Sequence, residues 1–263
     1  MTKKNKLFEI LKKGAELYGF IGTKAEFEAE GTRRNELIEL AILTAKADLE
    51  LTLKIGGCEA VSDLQDAKIY GASNIVAPMI ESDYALKKYI AATNKVFTKE
   101  ELGEIKLLYN LETIHAFNAR QGILNMTQNG HIDGIVFGRV DYCFSKNEDR
   151  DSINSETITR DILTIAELAK ENDLILTVGG GINEDSIQYL QKLHEIRLDR
   201  FESRKIVFDS RILNKKNISE ALSLAFEFEL LWLENKSEQY QQIAKEDSVR
   251  IEMLRKRFSL LRD

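Results

Sequence analysis

Two carboxylates, Glu112 and Asp141, each stand just past an apolar run of strand type. The runs are Ile105-Lys-Leu-Leu-Tyr-Asn-Leu-Glu112 and Gly134-Ile-Val-Phe-Gly-Arg-Val-Asp141. In a parallel α/β barrel the strand C-termini converge on one face, and that face carries the chemistry. Two acidic side chains there offer oxygen ligands to a hard divalent cation, which keeps several waters.

These residues need a scaffold of alternating strands and helices. Leu7, Ile10, Leu11 and Leu17 recur at helical spacing, which predicts an N-terminal helix over 5–17. Strands are expected at 19–28, 49–55, 74–80, 105–111, 134–138, 174–178 and 200–208, with Lys95-Val-Phe97 as a very short eighth. Helices near 35–47, 59–70, 83–92, 113–127, 156–171, 185–194 and 218–233 separate them. This alternation implies a parallel sheet. A (β/α)8 TIM barrel is its simplest closure, with a doubly wound open sheet as the rival. Residues 1–235 would form the barrel. Residues 236–263 form a helical extension, packed on its own barrel or reaching a neighbouring subunit.

Side chains alternate along a strand. The first strand therefore places Lys24, Glu26 and Glu28 on one face, and the last places Arg200, Glu202 and Arg204 on one face. Lys54, on the second strand, lies beside the first. If the end strands are neighbours in a closed barrel, opposite charges pair across them. Buried charge is tolerated where it is paired or where a polar ligand binds. The other possibility is a purely structural network, or side chains facing solvent or helices.

The composition excludes several classes. A formal charge of -6 argues against a nucleic-acid partner held by phosphate neutralisation. No apolar run reaches the ~20 residues of a membrane span, and no signal core follows the basic N-terminus. Cys58 and Cys143 lie outside any zinc spacing, so free thiols in a reducing cytoplasmic compartment are expected. Val178-Gly-Gly-Gly-Ile-Asn183 reads as an anion-binding turn or a plain tight turn before a helix. The Glu112-x-x-His115 spacing would suit a metal pair only on a continuous helix, and Glu112 ends a strand.

Four blocks together resemble the HpcH/HpaI aldolase/citrate lyase family of phosphoenolpyruvate/pyruvate-type barrels. They are Leu51-Thr-Leu-Lys-Ile-Gly-Gly-Cys-Glu-Ala-Val61, Ile75-Val-Ala-Pro-Met-Ile-Glu-Ser82, Leu108-Tyr-Asn-Leu-Glu-Thr113 and Asp133-Gly-Ile-Val-Phe-Gly-Arg-Val-Asp-Tyr142. The resemblance spans about residues 20–185. It implies that Glu112 and Asp141 bind Mg²⁺ or Mn²⁺. It implies that Lys54, where the family usually has Arg, contacts the keto or enolate oxygen. It also implies that backbone amides of Gly138, Arg139 and Val140 hold the carboxylate of a pyruvate-like ligand. The family's early acidic-Gly-Glu-His run corresponds here to Glu28-Ala-Glu-Gly31, without the His. Glu26, Glu28, Glu30 or a metal-bound water then stand as candidate bases.

The expectation is a cytoplasmic, homo-oligomeric, metal-dependent carbon–carbon lyase or aldolase. Its substrate would be a small 2-oxo acid, or an aldol or thioester adduct of one. A metal-dependent hydrolase, a phosphoenolpyruvate-using transferase and a non-catalytic ligand-binding barrel are the rivals.

Overall fold

The computed structural model describes residues 2–128 and 130–261. Helix α1 (Lys3–Leu17) precedes β1 (Phe20–Glu26), α2 (Arg34–Lys46), β2 (Glu50–Lys54), α3 (Val61–Ile69) and β3 (Asn74–Ala77). Then come α4 (Asp83–Val96), the short α5 (Lys99–Glu104), β4 (Lys106–Leu111), α6 (Ile114–Thr127), β5 (Gly134–Gly138) and α7 (Arg139–Ser145). The chain continues through α8 (Glu156–Glu171), β6 (Ile175–Gly179), α9 (Ile187–Ile196), β7 (Arg200–Glu202), β8 (Ile206–Asp209) and α10 (Ile218–Ser259).

The eight strands close into a barrel in chain order. The barrel is as expected, but two strands differ from the sequence reading. Lys95 and Val96 end helix α4, where Ser82 caps the first turn by accepting from the Ala85 N–H at 3.1 Å. The predicted strand at 200–208 is instead a hairpin. Ser203–Lys205 turn the chain, and β8 runs antiparallel to both β7 and β1. The other seven strands are parallel to one another.

Alternation explains which residues go where. The outward set of β2 to β7 is almost wholly apolar: Leu53, Ile75, Tyr109, Phe137, Leu176 and Phe201 are all fully buried under the helices. Burying each such side chain is worth about 1.5–3 kcal/mol. The inward set is mixed. Val76, Leu108 and Val136 form a small apolar plug separate from the main core. Below the plug, Arg200 donates to Asn74 Oδ1 at 2.8 Å and lies 3.4 Å from Glu50, closing the strand N-terminal end. Above it, at the strand C-termini, the wall is charged.

Helix α10 is 42 residues long and passes position 236 without a break. Phe228 and Trp232 bury its first part against the molecule. Around Glu36, Lys236 and Tyr240 fasten it to α2. From Gln241 to Leu261 every residue is exposed. Arg262 and Asp263, included in the predicted extension, lie outside the described residues.

Candidate active site

A cavity of about 380 Å³ opens at the strand C-terminal end. Its wall includes Lys24, Glu26, Lys54, Asn110, Glu112, Gly138, Val140, Asp141, Gly179, Gly180 and Glu202. The interior register of the strands puts them there. Glu26 and Lys54 are β-partners, as are Gly138 and Gly179.

Glu112 sits directly after β4 and is 1% exposed. It has room because Gly138 has no side chain; a Cβ there would stand 2.7 Å from Glu112 Oε2. Its Oε1 accepts from the backbone N–H of Met79 at 3.2 Å, and Asn110 donates to Oε2. Met79 follows the chain's single proline and holds φ at +49°. A left-handed conformation is unusual for Met; here it accompanies an N–H aimed at Glu112. Lys54 Nζ lies 3.4 Å from Oε1 and 3.5 Å from Oε2. Burial raises the pKa of Glu112 even against Lys54 and the two donors, and the charge on Asp141 adds to the rise.

Asp141, in the first turn of α7, opens to the cavity. Its pKa is also raised, first by desolvation and then by the negative charges of Glu28 and Glu26, with Lys54 opposing. Lys54 is the nearest compensating cation. Burial disfavours its ammonium, but Glu112 and Glu28 outweigh that, and its pKa is raised.

The candidate bases are now placed. Strand β1 stops at Glu26, so period-two alternation does not reach Glu28 or Glu30; the following loop brings them in. Glu26 is on the cavity wall, 2.8 Å from Lys24, and its pKa is lowered because the lysines outweigh burial. Glu28 lies 2.7 Å from Lys54 Nζ. Glu30 pairs with Lys205 of the β7–β8 turn and lies 3.6 Å from Arg204. Lys24 also pairs with Glu202. The opposite-sign pairing expected between first and last strands is thus present. It crosses the barrel interior, however, because β8 separates β7 from β1.

The Arg139 side chain is not on the cavity wall. It is fully buried and donates to Gly180 O at 3.0 Å, Asn154 Oδ1 at 3.0 Å and Ser186 Oγ at 3.1 Å. It ties β5–α7 to the loop after β6. The Arg139 and Val140 amides face Gly180, where a Cβ would stand 3.1 and 2.9 Å away. Gly180, at φ +83°, therefore leaves a cradle before these two N–H groups. His115 begins α6 and is not on the cavity wall.

The chemistry of this donor set fits a hard cation. Two carboxylates after adjacent strands carry raised pKa values, chiefly because burial disfavours their charged forms and secondarily because neighbouring carboxylates repel them. Asn110 Oδ1 beside them is buried without a hydrogen-bond partner. No three His, Cys, Asp or Glu side chains converge to hold an ion among the described residues. A cation would thus rest on two carboxylates, with water and ligand oxygens completing the shell. Sequence reasoning missed Asn110, and named Lys24 and Glu202 only as members of a possible inward charged face. Their signal was present in the inward alternation that also placed Lys54.

Neither any protein-family model nor any curated protein matches the sequence. Solved structures do match the fold. A HpcH/HpaI aldolase/citrate lyase family protein from Burkholderia cenocepacia superposes with a TM-score of 0.61 at 10% identity, covering 92% of this chain and 90% of that one. A variant of the citrate synthase SbnG gives 0.56 at 15% identity, over 84% and 89%. The chain has the fold of these barrels, as the sequence blocks suggested.

Proposed function

We propose that this chain is a divalent-cation-dependent carbon–carbon lyase or aldolase acting through the enolate of a pyruvate-like 2-oxo acid. The single observation that carries the reading is that Glu112, Asp141 and Lys54 share one cavity wall at the strand C-terminal mouth, with the Lys54 ammonium 3.4 Å from Glu112. The similarity in fold to an aldolase/citrate lyase family protein and to a citrate synthase supports it.

Bound Mg²⁺ or Mn²⁺, held by Glu112 and Asp141, supplies Lewis-acid stabilisation of negative charge on substrate oxygen. The chain's own residues do the rest. The amides of Arg139 and Val140, in the cradle left by Gly180, hold the substrate carboxylate. Lys54 places its positive charge where the enolate oxygen develops. Glu28, 2.7 Å from Lys54, is the carboxylate best placed to exchange a proton near that oxygen. Glu26 is the weaker base because its lowered pKa favours the ionised, lysine-paired form. We assign the protein to the cytoplasm and to homo-oligomers, acting on a small oxo acid or its adduct. No helix of the described residues is long and apolar enough to cross a membrane.

Enolisation has a direct readout. With Mg²⁺ in D2O, the methyl protons of pyruvate should exchange for deuterium with the protein present, followed by proton NMR. Asp141→Asn should slow that exchange at least 100-fold while the fold is retained. Exchange at the buffer rate with Mg²⁺ and Mn²⁺ both tested would refute the reading.

A further inference from the structure

The exposed side of α10 carries an apolar stripe in two stretches. Phe226, Leu230 and Leu233, and then Ile251 and Leu254, hold the alternating three- and four-residue spacing of a helix-pairing seam, and Ser237, the half-buried Tyr240 that bonds Glu36, Ala244 and Asp247 fill the positions between them. Leu230 is 62% exposed and Leu254 is 57% exposed. The stripe runs over both halves of the helix, the half seated on the barrel and the half beyond Gln241.

A single helix of about twenty residues with no tertiary support is marginal in water. The charges say what supports it. From Ile218 to Tyr240 the helix has five Glu and one Lys. From Gln241 to Ser259 it has five Lys or Arg and three Asp or Glu. A parallel pair would set like against like. An antiparallel pair sets the acidic half of one copy along the basic half of the other.

We infer that this face is covered by a second copy of the chain, with the two α10 helices antiparallel and centred near residue 242. Among heptad-shifted registers this one matches polarity along the seam. Leu230 meets the partner's Leu254, Leu233 meets the partner's Ile251, and Ser237 meets the partner's Asp247. A shift of one heptad in either direction buries Asp247 against Leu230, or Ser237 against Leu254. In the chosen register Glu227 flanks the partner's Arg255. Lys236 is the one residue set beside a like charge, the partner's Arg250, and Glu36 already holds it at 3.1 Å.

The pairing also concerns the site. Phe226 and Glu229 line the cavity mouth. The antiparallel register sets the partner's Phe258 at Phe226 and the partner's Arg257 at Glu229. Each mouth is then partly walled by the other subunit, which adds positive charge where an anionic substrate enters. This inference rests on α10 alone and stands or falls separately from the proposed reaction.

The test uses the full chain with Cys58→Ser. Sedimentation should give twice the 30.0 kDa chain mass, and Leu254→Asp should reduce it to the single chain with folding retained. Leu230→Cys mixed with Leu254→Cys should form an intersubunit disulfide on oxidation. Each variant alone should not, because its two copies lie 24 residues apart along the axis, roughly 36 Å. A 30.0 kDa species at micromolar concentration overturns the inference. So does a dimer that survives Leu254→Asp, or a disulfide formed by Leu254→Cys alone.

Discussion

Glu112 and Asp141 answer to pH in opposite ways from an ordinary salt-bridged acid. Both folded pKa values are raised. The ionised form is thus disfavoured in the fold, and the penalty grows as pH rises from the unfolded value through the folded one. A cation shared by the two removes that penalty. Added Mg²⁺ should raise Tm at pH 7 and have little effect below pH ~4.3, where even an unperturbed Glu is protonated. At ten times its Kd the ion contributes about 1.4 kcal/mol. Asp141→Asn should abolish the rise in a calorimetric scan. A rise that persists in that variant would place the ion elsewhere. Lys24 obeys the usual sign. Glu26, beside it, has a lowered pKa, so its contribution is present above the unfolded value and is lost as pH falls through the folded one. Lys24→Met takes from Glu26 its largest compensating charge and from Glu202 its ion-pair partner. It should cost about 3–5 kcal/mol at pH 7 by urea unfolding, with the gap from wild type narrowing in acid. An unchanged midpoint would show that the two carboxylates are solvated.

At the scale of elements, Arg139 links the end of β5 to the loop after β6. Arg139→Ala removes three hydrogen bonds and a fully buried side chain. It should destabilise by roughly 2–5 kcal/mol, and should weaken substrate binding because Gly180 and the Arg139 and Val140 amides lose their common tie. Stability within 0.5 kcal/mol of wild type, the range of an ordinary surface substitution, would mark the tie as dispensable. Most elements could be read from periodicity because each has one face to bury. The exceptions have physical reasons. Lys95-Val-Phe97 is β-prone locally, but Lys95 and Val96 belong to the last turn of an amphipathic helix whose buried side includes Leu86, Tyr89 and Ala92. The segment 200–208 has strand composition throughout, and only Ser203 and the following basic pair hint at a turn. Glu112, Asp141 and Lys54 were legible because strand ends in a parallel barrel share one face. The inward turn of Arg139 was not, since a burial that depends on Asn154 and Ser186 leaves no local trace.

The whole molecule is a charged barrel mouth above a small apolar plug, with the apolar layer outside the strands rather than within them. Polar interiors are costly unless satisfied, and here paired lysines and glutamates satisfy most of the wall. Glu112 and Asp141 are the carboxylates of that wall that keep raised pKa values, chiefly from burial. A crystal soaked with Mg²⁺ and oxalate shows whether an ion sits between them. Density is expected for one ion touching Glu112 and Asp141, with oxalate oxygens completing its shell, one oxalate carboxylate in the Gly180 cradle and Lys54 Nζ within hydrogen-bond reach. An empty mouth at saturating ligand, or an ion bound away from these two carboxylates, would contradict it.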